Sequence, residues 1–337
     1  MTLNVAMHPA ARDRVADRIA ALDLPLQILP LLDGGRCMAE GGPMPLAEAP
    51  ARAVWLTSDM VGGAFADCLE AIAASRTVEW VQTFNAGLDH PGYRAIAAKG
   101  IRIGASSAQA AAISEYVFAH VLDIFQGLAE RRAAQAAGEW KQLPFREIGG
   151  TVWLIVGYGN IGREIGKRAG AFGARVTGVR RSAASAPFAD EVCAMDRLGE
   201  RLGEADVVVL CCPHSSETDR LVDAGFLAAM KPGAVLVNVA RGGVVDDEAL
   251  LAALDSGRVG TAVLDVFEPE PLPRSSPYWA HPSVRLTGHC SFAGNGTRGR
   301  ADDLFIANLP RYAAGESLVN EVDLKLYLET LPRDRRP

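Results

Sequence analysis

The sequence lacks several features that would assign it to a specialised class of protein. None of its apolar runs approaches the ~18 residues of a membrane-spanning helix, and its first residues, MTLNVAMHPAARDR, contain no apolar signal segment. Its six cysteines show no metal-ligand spacing. A formal net charge of −6 leaves no basic excess for general nucleic-acid binding. We therefore expect a soluble, cytoplasmic protein with no metal centre and with neither membrane nor nucleic acid as a partner.

What the sequence does contain is enough apolar surface for two domains. The chain has 337 residues, of which 49% are hydrophobic. Up to about residue 108, strand-like runs such as QILPLL, RAVWLTS, VEWVQTF and IRIGAS alternate with Ala-rich helical stretches. From residue 151 a second series follows, namely TVWLIVG, ARVTGV, ADVVVLCCP, AVLVNVA, GTAVLDV and VRLTGH. These runs lack hydrophobic–polar alternation, as parallel strands buried on both faces do. The pattern predicts an α/β protein with parallel sheets.

A long helical pattern separates the two series, over residues 110–140. Its first half is apolar and its second half is charged and rich in alanine. We predict one long helix here, which serves as a domain connector or as an arm between subunits.

A glycine-rich turn opens the second series. GYGNIG places Gly157, Gly159 and Gly162 in a G-x-G-x-x-G spacing between a strand and a helix. The first glycine permits the tight turn, the second lets the backbone approach a pyrophosphate, and the third allows close helix–strand packing. The turn predicts a dinucleotide site, whose candidate residues are Gly157, Tyr158, Gly159, Asn160, Ile161 and Gly162. A packing turn without a ligand is the alternative.

The end of the next strand favours NADP over NAD. An NAD-specific site places an acidic residue there, which bonds the ribose hydroxyls and repels a 2′-phosphate. Here Arg180 takes that position, Arg181 and Ser182 follow, and no acid comes before Asp190. Two charge-assisted bonds of roughly 1.5–3 kcal/mol each to a 2′-phosphate give a preference of about a hundredfold or more. We predict NADP as the preferred cofactor, with NAD possible if both arginines are solvated.

Three later strand ends carry ionisable side chains. NVARGGVVDDEAL presents Arg241, LDVFEPEPLP presents Asp265, Glu268 and Glu270, and VRLTGHCSFAG presents His289. Ligands of open α/β sheets bind at the carboxyl ends of the strands, so we expect these side chains on the cofactor's side of the sheet. A solvated arginine and a structural histidine are the alternatives for each residue alone, and their joint occurrence favours a catalytic site.

These segments, taken in order with GYGNIG, resemble the D-isomer-specific 2-hydroxyacid dehydrogenases from about residue 80 to 310. The resemblance implies two Rossmann-like domains with parallel sheets. A cofactor domain, residues 109–289, is inserted into a discontinuous substrate-binding domain, residues 1–108 plus 290–337. It also implies a homodimer built on the cofactor domain.

The resemblance implies catalytic roles for three residues. Arg241 grips the carboxylate or keto oxygen of a 2-oxo acid. His289 protonates the carbonyl oxygen as hydride arrives. Glu270 pairs with His289, favours the protonated ring and fixes its orientation. The substrate carboxylate is expected on the backbone N–H groups of the loop TFNAGLDHP, around Ala86, Gly87 and Leu88, for which an ordinary strand-to-helix turn is the alternative.

Further positions are assigned to the cofactor by the same resemblance. Asp265 is the cofactor-binding acid near the nicotinamide, and His214 lines the site without a catalytic role. Glu268 has no implied role and is expected to be solvated. The remaining lining residues are Cys212, Pro213 and Ala240.

Two of the departures from the family pattern change the expected packing. Trp153 stands where the family usually has glycine, so we expect different local packing there. After His289, Cys290 and Phe292 replace the usual small residues, which changes the expected nicotinamide pocket.

The function that follows is NADPH-dependent reduction of a small 2-oxo acid, of the glyoxylate or hydroxypyruvate type, to the D-2-hydroxy acid. Two alternatives stay open: an NAD-linked dehydrogenase of the phosphoglycerate or D-lactate type, and a binding protein that senses NAD(P) without turnover. The sequence does not select one 2-oxo acid, because the residues expected to shape the pocket lie in the least recognisable third of the chain.

Overall fold

A computed structural model describes residues 2–60 and 63–331. The chain divides into two compact units: unit 1 contains Met1–Ala108 and Asn295–Pro337, and unit 2 contains Gln109–Gly294. The second crossing between the units follows Gly294, whereas the sequence analysis placed it after His289. Among the helices of the described residues, none has the length and apolar character needed to cross a membrane.

Unit 1 begins with a sheet whose strands alternate with helices. Its strands are β1 Leu3–Met7, β2 Leu26–Leu32, β3 Arg36–Ala39, β4 Gly42–Pro45, β5 Ala53–Trp55, β6 Trp80–Gln82 and β7 Arg102–Gly104. Its first helices are α1 Pro9–Ala20, α2 Gly63–Ala74 and α3 Pro91–Ala98. Within the described residues the sheet has seven strands in the order β4-β3-β2-β1-β5-β6-β7. The predicted strand runs are confirmed.

The sheet of unit 1 is mainly parallel, as predicted, and departs from this at one edge. β2, β1, β5, β6 and β7 pair in parallel, but β3 and β4 pair antiparallel. Gly34 and Gly35, both at positive φ, form the tight turn between β2 and β3, and such a turn can join only antiparallel neighbours.

Unit 2 contains the second α/β series. Its strands are β8 Val152–Val156, β9 Arg175–Arg180, β10 Glu191–Ala194, β11 Val207–Leu210, β12 Ala234–Asn238, β13 Val259–Leu264 and β14 Val284–Leu286. Its helices are α4 Ala110–Gln126, α5 Leu128–Ala136, α6 Asn160–Ala171, α7 Gly199–Leu202, α8 Ala224–Ala229 and α9 Asp247–Asp255. The six predicted runs all form strands, and the short β10 adds an edge. All pairs are parallel, in the order β10-β9-β8-β11-β12-β13-β14.

The predicted single helix over residues 110–140 is wrong, because the structure forms two helices. α4 ends and α5 begins at Gly127, whose φ of +58° places it in the left-handed region. The Gly127 N–H bonds to the Ile124 carbonyl at 3.2 Å, which closes the last turn of α4 as a left-handed glycine cap does. The chain therefore changes direction halfway through the Ala-rich pattern.

After unit 2 the chain returns to unit 1 through α10, Thr297–Ala313, and α11, Leu324–Glu329. Each unit buries apolar side chains on both faces of its sheet. In unit 2, Leu154 and Val208 lie in one cluster, and Ile155 and Val209 lie in the other. This placement of neighbouring residues on opposite faces explains why the runs lack alternation.

Candidate active site

The carboxyl ends of the unit 2 strands form one edge that carries most of the candidate residues. The glycine turn follows β8, Pro213 follows β11, Ala240 follows β12, Asp265 follows β13 and His289 follows β14. These strands are parallel neighbours. The chain proceeds from β8 to β9 on one side and resumes with β11 on the other. β8 and β11 therefore flank the topological switch point, where open α/β sheets form their ligand crevice.

The glycine turn is built for close backbone approach. Gly157 has φ +96°, and a Cβ there would lie 2.4 Å from the Cys212 nitrogen. A Cβ on Gly162 would lie 2.8 Å from the Gly157 carbonyl oxygen, so α6 packs directly on the turn. Gly159 is the N-cap of α6 and has no side-chain oxygen to occupy the first-turn N–H groups. The cradle fits a dinucleotide pyrophosphate, as the spacing predicts.

Tyr158 supports the turn from inside the unit. Its side chain is 1% exposed, and a Cβ on Gly178 of β9 would lie 2.5 Å from its ring. The hydroxyl donates to the Pro187 carbonyl at 3.1 Å. The Tyr158 ring and hydroxyl are therefore engaged inside the unit, and a cofactor-binding role for this residue stays a prediction. Asn160 and Ile161 form the first turn of α6.

The lining residues after β11 and β12 are mainly buried. Burial raises the pKa of the Cys212 thiol to about 12, so it stays protonated as an apolar group. Pro213 is exposed and Ala240 is buried. Their backbones follow adjacent strands, as cofactor-lining segments require.

Arg180 ends β9 directly beside the glycine turn. The N–H groups of Gly157 and Tyr158 bond to the Val179 carbonyl at 3.0 and 2.9 Å. Arg180 is half-buried, and Arg181 and Ser182 are exposed. Arg181 pairs with Glu217, which the sequence reasoning did not single out, with 3.4 Å between Nε and Oε2. The three predicted phosphate ligands thus lie at the end of β9, the strand whose Val179 carbonyl bonds to the glycine turn.

His289 and Glu270 form a hydrogen-bonded pair. His289 Nδ1 lies 2.7 Å from Glu270 Oε2, and Glu270 Oε1 accepts the Phe267 N–H at 2.9 Å. A carboxylate only accepts, so Nδ1 carries the proton and Nε2 is the nitrogen that can give or take one. The side chains are 37% and 35% exposed, which leaves the ring accessible to a small substrate.

Arg241 lies in a loop held by a buried amide. Asn238, 1% exposed at the end of β12, donates from Nδ2 to the Arg241 carbonyl at 3.0 Å and accepts the Ala240 N–H at 3.0 Å. The next residue, Gly242, abuts the Phe267–Glu268 peptide, since a Cβ there would lie 2.0 Å from the Phe267 carbonyl carbon. The structure therefore packs the Arg241 loop against the segment that carries Glu270. The sequence analysis did not single out Asn238, although a polar residue at the end of the otherwise apolar strand β12 could have indicated it.

Asp265 is buried completely, and its carboxylate binds the loop of His289. The carboxylate accepts the N–H groups of Cys290 and Ser291 at 2.9 Å each and the Thr287 hydroxyl at 2.5 Å. The sequence reasoning placed Asp265 near the cofactor and missed these contacts. Its position at the end of β13 is as expected, and the partners of its carboxylate are loop atoms. A cofactor-binding role for Asp265 stays a prediction.

His214 and Glu268 flank a glycine next to Arg241. His214 Nε2 pairs with Asp219 Oδ1 at 2.8 Å, and its side chain is 9% exposed. A Cβ on Gly243 would lie 2.7 Å from His214 Cε1 and 2.5 Å from Glu268 Oε2. His214 therefore packs beside the Arg241 loop at this edge of the sheet. Glu268 is exposed, as predicted.

The residues that depart from the family pattern pack against neighbouring aromatic rings at two positions, Trp153 and Phe292. Trp153 is fully buried and stacks on Phe118 of α4 with 4.9 Å between ring centroids, so the indole binds that helix to the sheet. Phe292 presents its ring edgewise to His289 at 5.9 Å. Cys290 is exposed.

The predicted substrate loop of unit 1 follows β6 and is anchored at both ends. Asn85 Nδ2 donates to the hydroxyl of the buried Tyr93 at 3.1 Å, and the Tyr327 hydroxyl donates to the Leu88 carbonyl at 2.7 Å. Ala86 and Gly87 lie between these anchors, with Ala86 exposed. The segment has a fixed backbone, as an anion-binding loop requires.

Comparison with known proteins shows which family the chain resembles. The model described as D-isomer specific 2-hydroxyacid dehydrogenase, NAD binding domain, matches residues 118–291. The chain is 32% identical over 212 residues to a glyoxylate/hydroxypyruvate reductase A of Citrobacter koseri, covering 63% of this chain and 67% of that one. It is 32% identical over 258 residues to a D-3-phosphoglycerate dehydrogenase of Mycobacterium leprae, covering 76% and 49%. The chain spans about half to two thirds of the length of these curated relatives.

A solved structure is similar along almost the whole chain. It is a D-isomer specific 2-hydroxyacid dehydrogenase from Xanthobacter autotrophicus Py2, crystallised with NADPH and MES. The TM-score is 0.76 at 26% identity, over 97% of this chain and 99% of that one. The similarity extends to both units.

Proposed function

Because this chain belongs to the D-isomer specific 2-hydroxyacid dehydrogenase family, we propose that it reduces a small 2-oxo acid to the D-2-hydroxy acid with NADPH. Glyoxylate and hydroxypyruvate are the leading substrates. The observation that carries the proposal is the His289–Glu270 pair, 2.7 Å apart, at the sheet edge that also carries the glycine turn. A relative named for these two substrates supports the choice.

The residues present have the chemistry that this reaction needs. The nicotinamide, when bound, supplies a hydride to C2 of the substrate. Arg241 binds the substrate carboxylate through charge-assisted hydrogen bonds. The backbone of Ala86–Leu88 in unit 1 is proposed to bind a carboxylate as well. His289 gives the proton on Nε2 to the keto oxygen, and Glu270 stabilises the positive ring before that transfer. Hydride and proton together convert the ketone to the alcohol.

The preference for NADPH rests on the end of β9. Arg180, Arg181 and Ser182 are suited to a 2′-phosphate, and this part of the chain lacks the acidic residue that would select NAD. The similar Xanthobacter protein was crystallised with NADPH. A phosphoglycerate dehydrogenase among the relatives supports the second candidate, an NAD-linked enzyme that works in oxidation.

Initial rates test both candidates together. Glyoxylate, hydroxypyruvate, pyruvate and phenylpyruvate are each offered with NADPH and with NADH. We expect the highest kcat/KM for glyoxylate or hydroxypyruvate with NADPH, by about a hundredfold over NADH. Equal or better use of NADH contradicts the cofactor proposal, and oxidation of 3-phosphoglycerate or D-lactate with NAD favours the second candidate.

A histidine substitution tests the catalytic assignment. We expect His289→Gln to lower kcat about 10²–10⁴-fold, as the loss of a general acid does. His281→Gln is the matched control, because His281 also pairs with a carboxylate, Asp255 at 3.3 Å, but precedes β14. If wild-type protein binds NADPH yet reduces none of the 2-oxo acids, the result favours the alternative of a binding protein that senses NAD(P) without turnover.

We further propose that the protein is a homodimer in the cytoplasm. The indole of Trp140, 96% exposed, lies just after α5 in the segment predicted as a subunit arm. Light scattering of the purified protein measures its mass, and a monomer that persists at micromolar concentration contradicts the dimer.

A further inference from the structure

A chain of hydrogen bonds connects helix α4 to the loop that carries His289. The Tyr116 hydroxyl lies 2.7 Å from Thr287 Oγ1, and Thr287 Oγ1 donates to Asp265 Oδ1 at 2.5 Å. The Asp265 carboxylate accepts the N–H groups of Cys290 and Ser291. All members lie in unit 2, and none of the functions assigned above uses Tyr116 or Thr287.

The direction of each bond follows from the groups present. Donors face both oxygens of Asp265, so the group accepts as a carboxylate. The single hydroxyl proton of Thr287 points to that carboxylate, and Tyr116 must therefore donate to Thr287. Burial raises the pKa of Tyr116, which keeps the phenol protonated and able to donate.

The chain of bonds ends on a loop that is held in an unfavourable conformation. His289 has φ +50°, in the left-handed region that residues other than glycine rarely adopt. Its N–H bonds to the Asp265 carbonyl at 2.8 Å, and the next two N–H groups bond to the Asp265 carboxylate. Asp265 thus holds three consecutive N–H groups. These bonds fix the backbone at the residue whose imidazole meets Glu270.

The Tyr116 hydroxyl is held in place by the packing of helix α4. The Tyr116 ring lies 4.4 Å from the His120 ring between centroids, and α4 packs against α6. The hydroxyl therefore comes from a helix that is fixed independently of the loop. Such support from a rigid element is what an accurately placed catalytic group needs.

We propose that Tyr116 and Thr287 are positioning residues for His289, acting through the carboxylate of Asp265. The inference rests on the proposed function only in taking His289 as the acid/base. The reaction would then depend on a tyrosine of helix α4 that does not itself contact His289 or Glu270 through the hydrogen bonds described.

The experiment compares Thr287→Val, which removes the hydroxyl at constant shape, with Thr287→Ser, which keeps it, and with Tyr116→Phe. We expect Thr287→Val to lower kcat for glyoxylate reduction about 30–100-fold and Tyr116→Phe about 5–10-fold. Thr287→Ser stays within about threefold of wild type. The Kd for NADPH, from fluorescence titration, changes less than twofold in all three. These ranges match a misplacement of the acid of up to about 1 Å.

Two further readouts separate positioning from general support of the fold. If the imidazole no longer meets Glu270, the pH profile of kcat/KM in Thr287→Val differs from that of wild type. The double variant Tyr116→Phe/Thr287→Val is no slower than Thr287→Val alone, because both residues act through one chain of bonds. Tyr278→Phe is the matched control, since this buried tyrosine bonds to Asp247 at 2.9 Å, away from the loop.

Proton NMR measures the pair without turnover. We expect the His289 Nδ1 proton far downfield in wild type, shifted upfield in Thr287→Val and restored in Thr287→Ser. The inference is overturned if Thr287→Val and Tyr116→Phe keep the wild-type kcat, pH profile and resonance, or if Thr287→Ser fails to rescue them. If Thr287→Val does not fold, Tyr116→Phe decides by the same criteria. A wild-type protein that shows this resonance and its response but reduces no 2-oxo acid refutes the proposed function and leaves the inference standing.

Discussion

Replacing Gly242 by alanine tests whether the contact between two loops sets the active-site geometry. A Cβ on Gly242 would lie 2.0 Å from the Phe267 carbonyl carbon and 2.4 Å from the Glu268 nitrogen. The backbone of Gly242 is not at positive φ, so alanine can adopt the same backbone conformation without strain. The effect of Gly242→Ala is therefore steric. The added methyl group would push apart the loop that carries Arg241 and the loop that carries Glu270.

The size of the effect follows from those distances. Ordinary contacts of a Cβ lie beyond 3.4 Å, and the atoms in conflict are backbone atoms that cannot rotate away. The loops must separate by roughly 1 Å, a displacement that lowers catalytic rates about 10²-fold. The same overpacking costs about 1–3 kcal/mol of folding free energy. We expect kcat/KM to fall about a hundredfold while the protein stays folded.

Steady-state kinetics with glyoxylate and NADPH, together with urea unfolding, measure both effects. Gly170→Ala is the control, because a Cβ there meets nothing within 4 Å and the position lies in helix α6. It should keep full activity and gain about 0.5–1 kcal/mol of stability. A Gly242→Ala variant with wild-type kcat/KM and an unchanged unfolding midpoint would refute the reasoning.

Two further predictions concern charges. Glu217→Gln removes the carboxylate that pairs with Arg181 and that would repel a nearby 2′-phosphate, so the ratio of kcat/KM for NADPH over NADH should rise up to about fivefold. Asp206 is a stability test: burial works to raise its pKa, but hydrogen bonds from Lys231, the Val152 N–H and Arg146 outweigh burial and lower it. Asp206→Asn should therefore cost about 2–4 kcal/mol in urea unfolding at pH 7.

The controls for these predictions lie in the same unit. Glu204→Gln removes the partner of Arg175, at the start of β9, and should leave the cofactor ratio unchanged. A group with a lowered folded pKa stabilises above its unfolded pKa of about 4 and loses that contribution as pH falls further. The stability gap between wild type and Asp206→Asn should therefore shrink below about pH 4. A gap that is equal at pH 7 and pH 3 contradicts the ionic account, and an NADPH preference that falls in Glu217→Gln contradicts the repulsion.

The features that could be predicted from the sequence are those encoded by neighbouring residues. The strands of unit 2 and the turn at Gly157 follow from apolar runs and glycine spacing within a few residues. The placement of Arg241, Asp265 and His289 at one edge follows as well, because parallel strands must end on the same side. Glu270 meets His289 as the resemblance implied.

Features that depend on distant contacts or on one backbone angle were missed. The break at Gly127 is invisible in a pattern whose apolar and charged halves both favour helix, since one left-handed residue decides it. The support of the Arg241 loop by Asn238, and of the His289 loop by Tyr116, joins residues whose sequence neighbours give no sign of the contact. The pairing of Arg181 with Glu217 is of the same kind. Tertiary contacts select these side chains, and local propensity does not report them.

The antiparallel edge of the unit 1 sheet has a consequence for the behaviour of the protein at high concentration. Strand β4 reads Gly-Pro-Met-Pro, so its only N–H groups are those of Gly42 and Met44, which the ladder with β3 requires. Pro43 and Pro45 then turn their nitrogens, which lack hydrogen, toward the outside. A strand from another molecule finds too few donors to extend the sheet there. This margin resists aggregation by edge-to-edge strand addition.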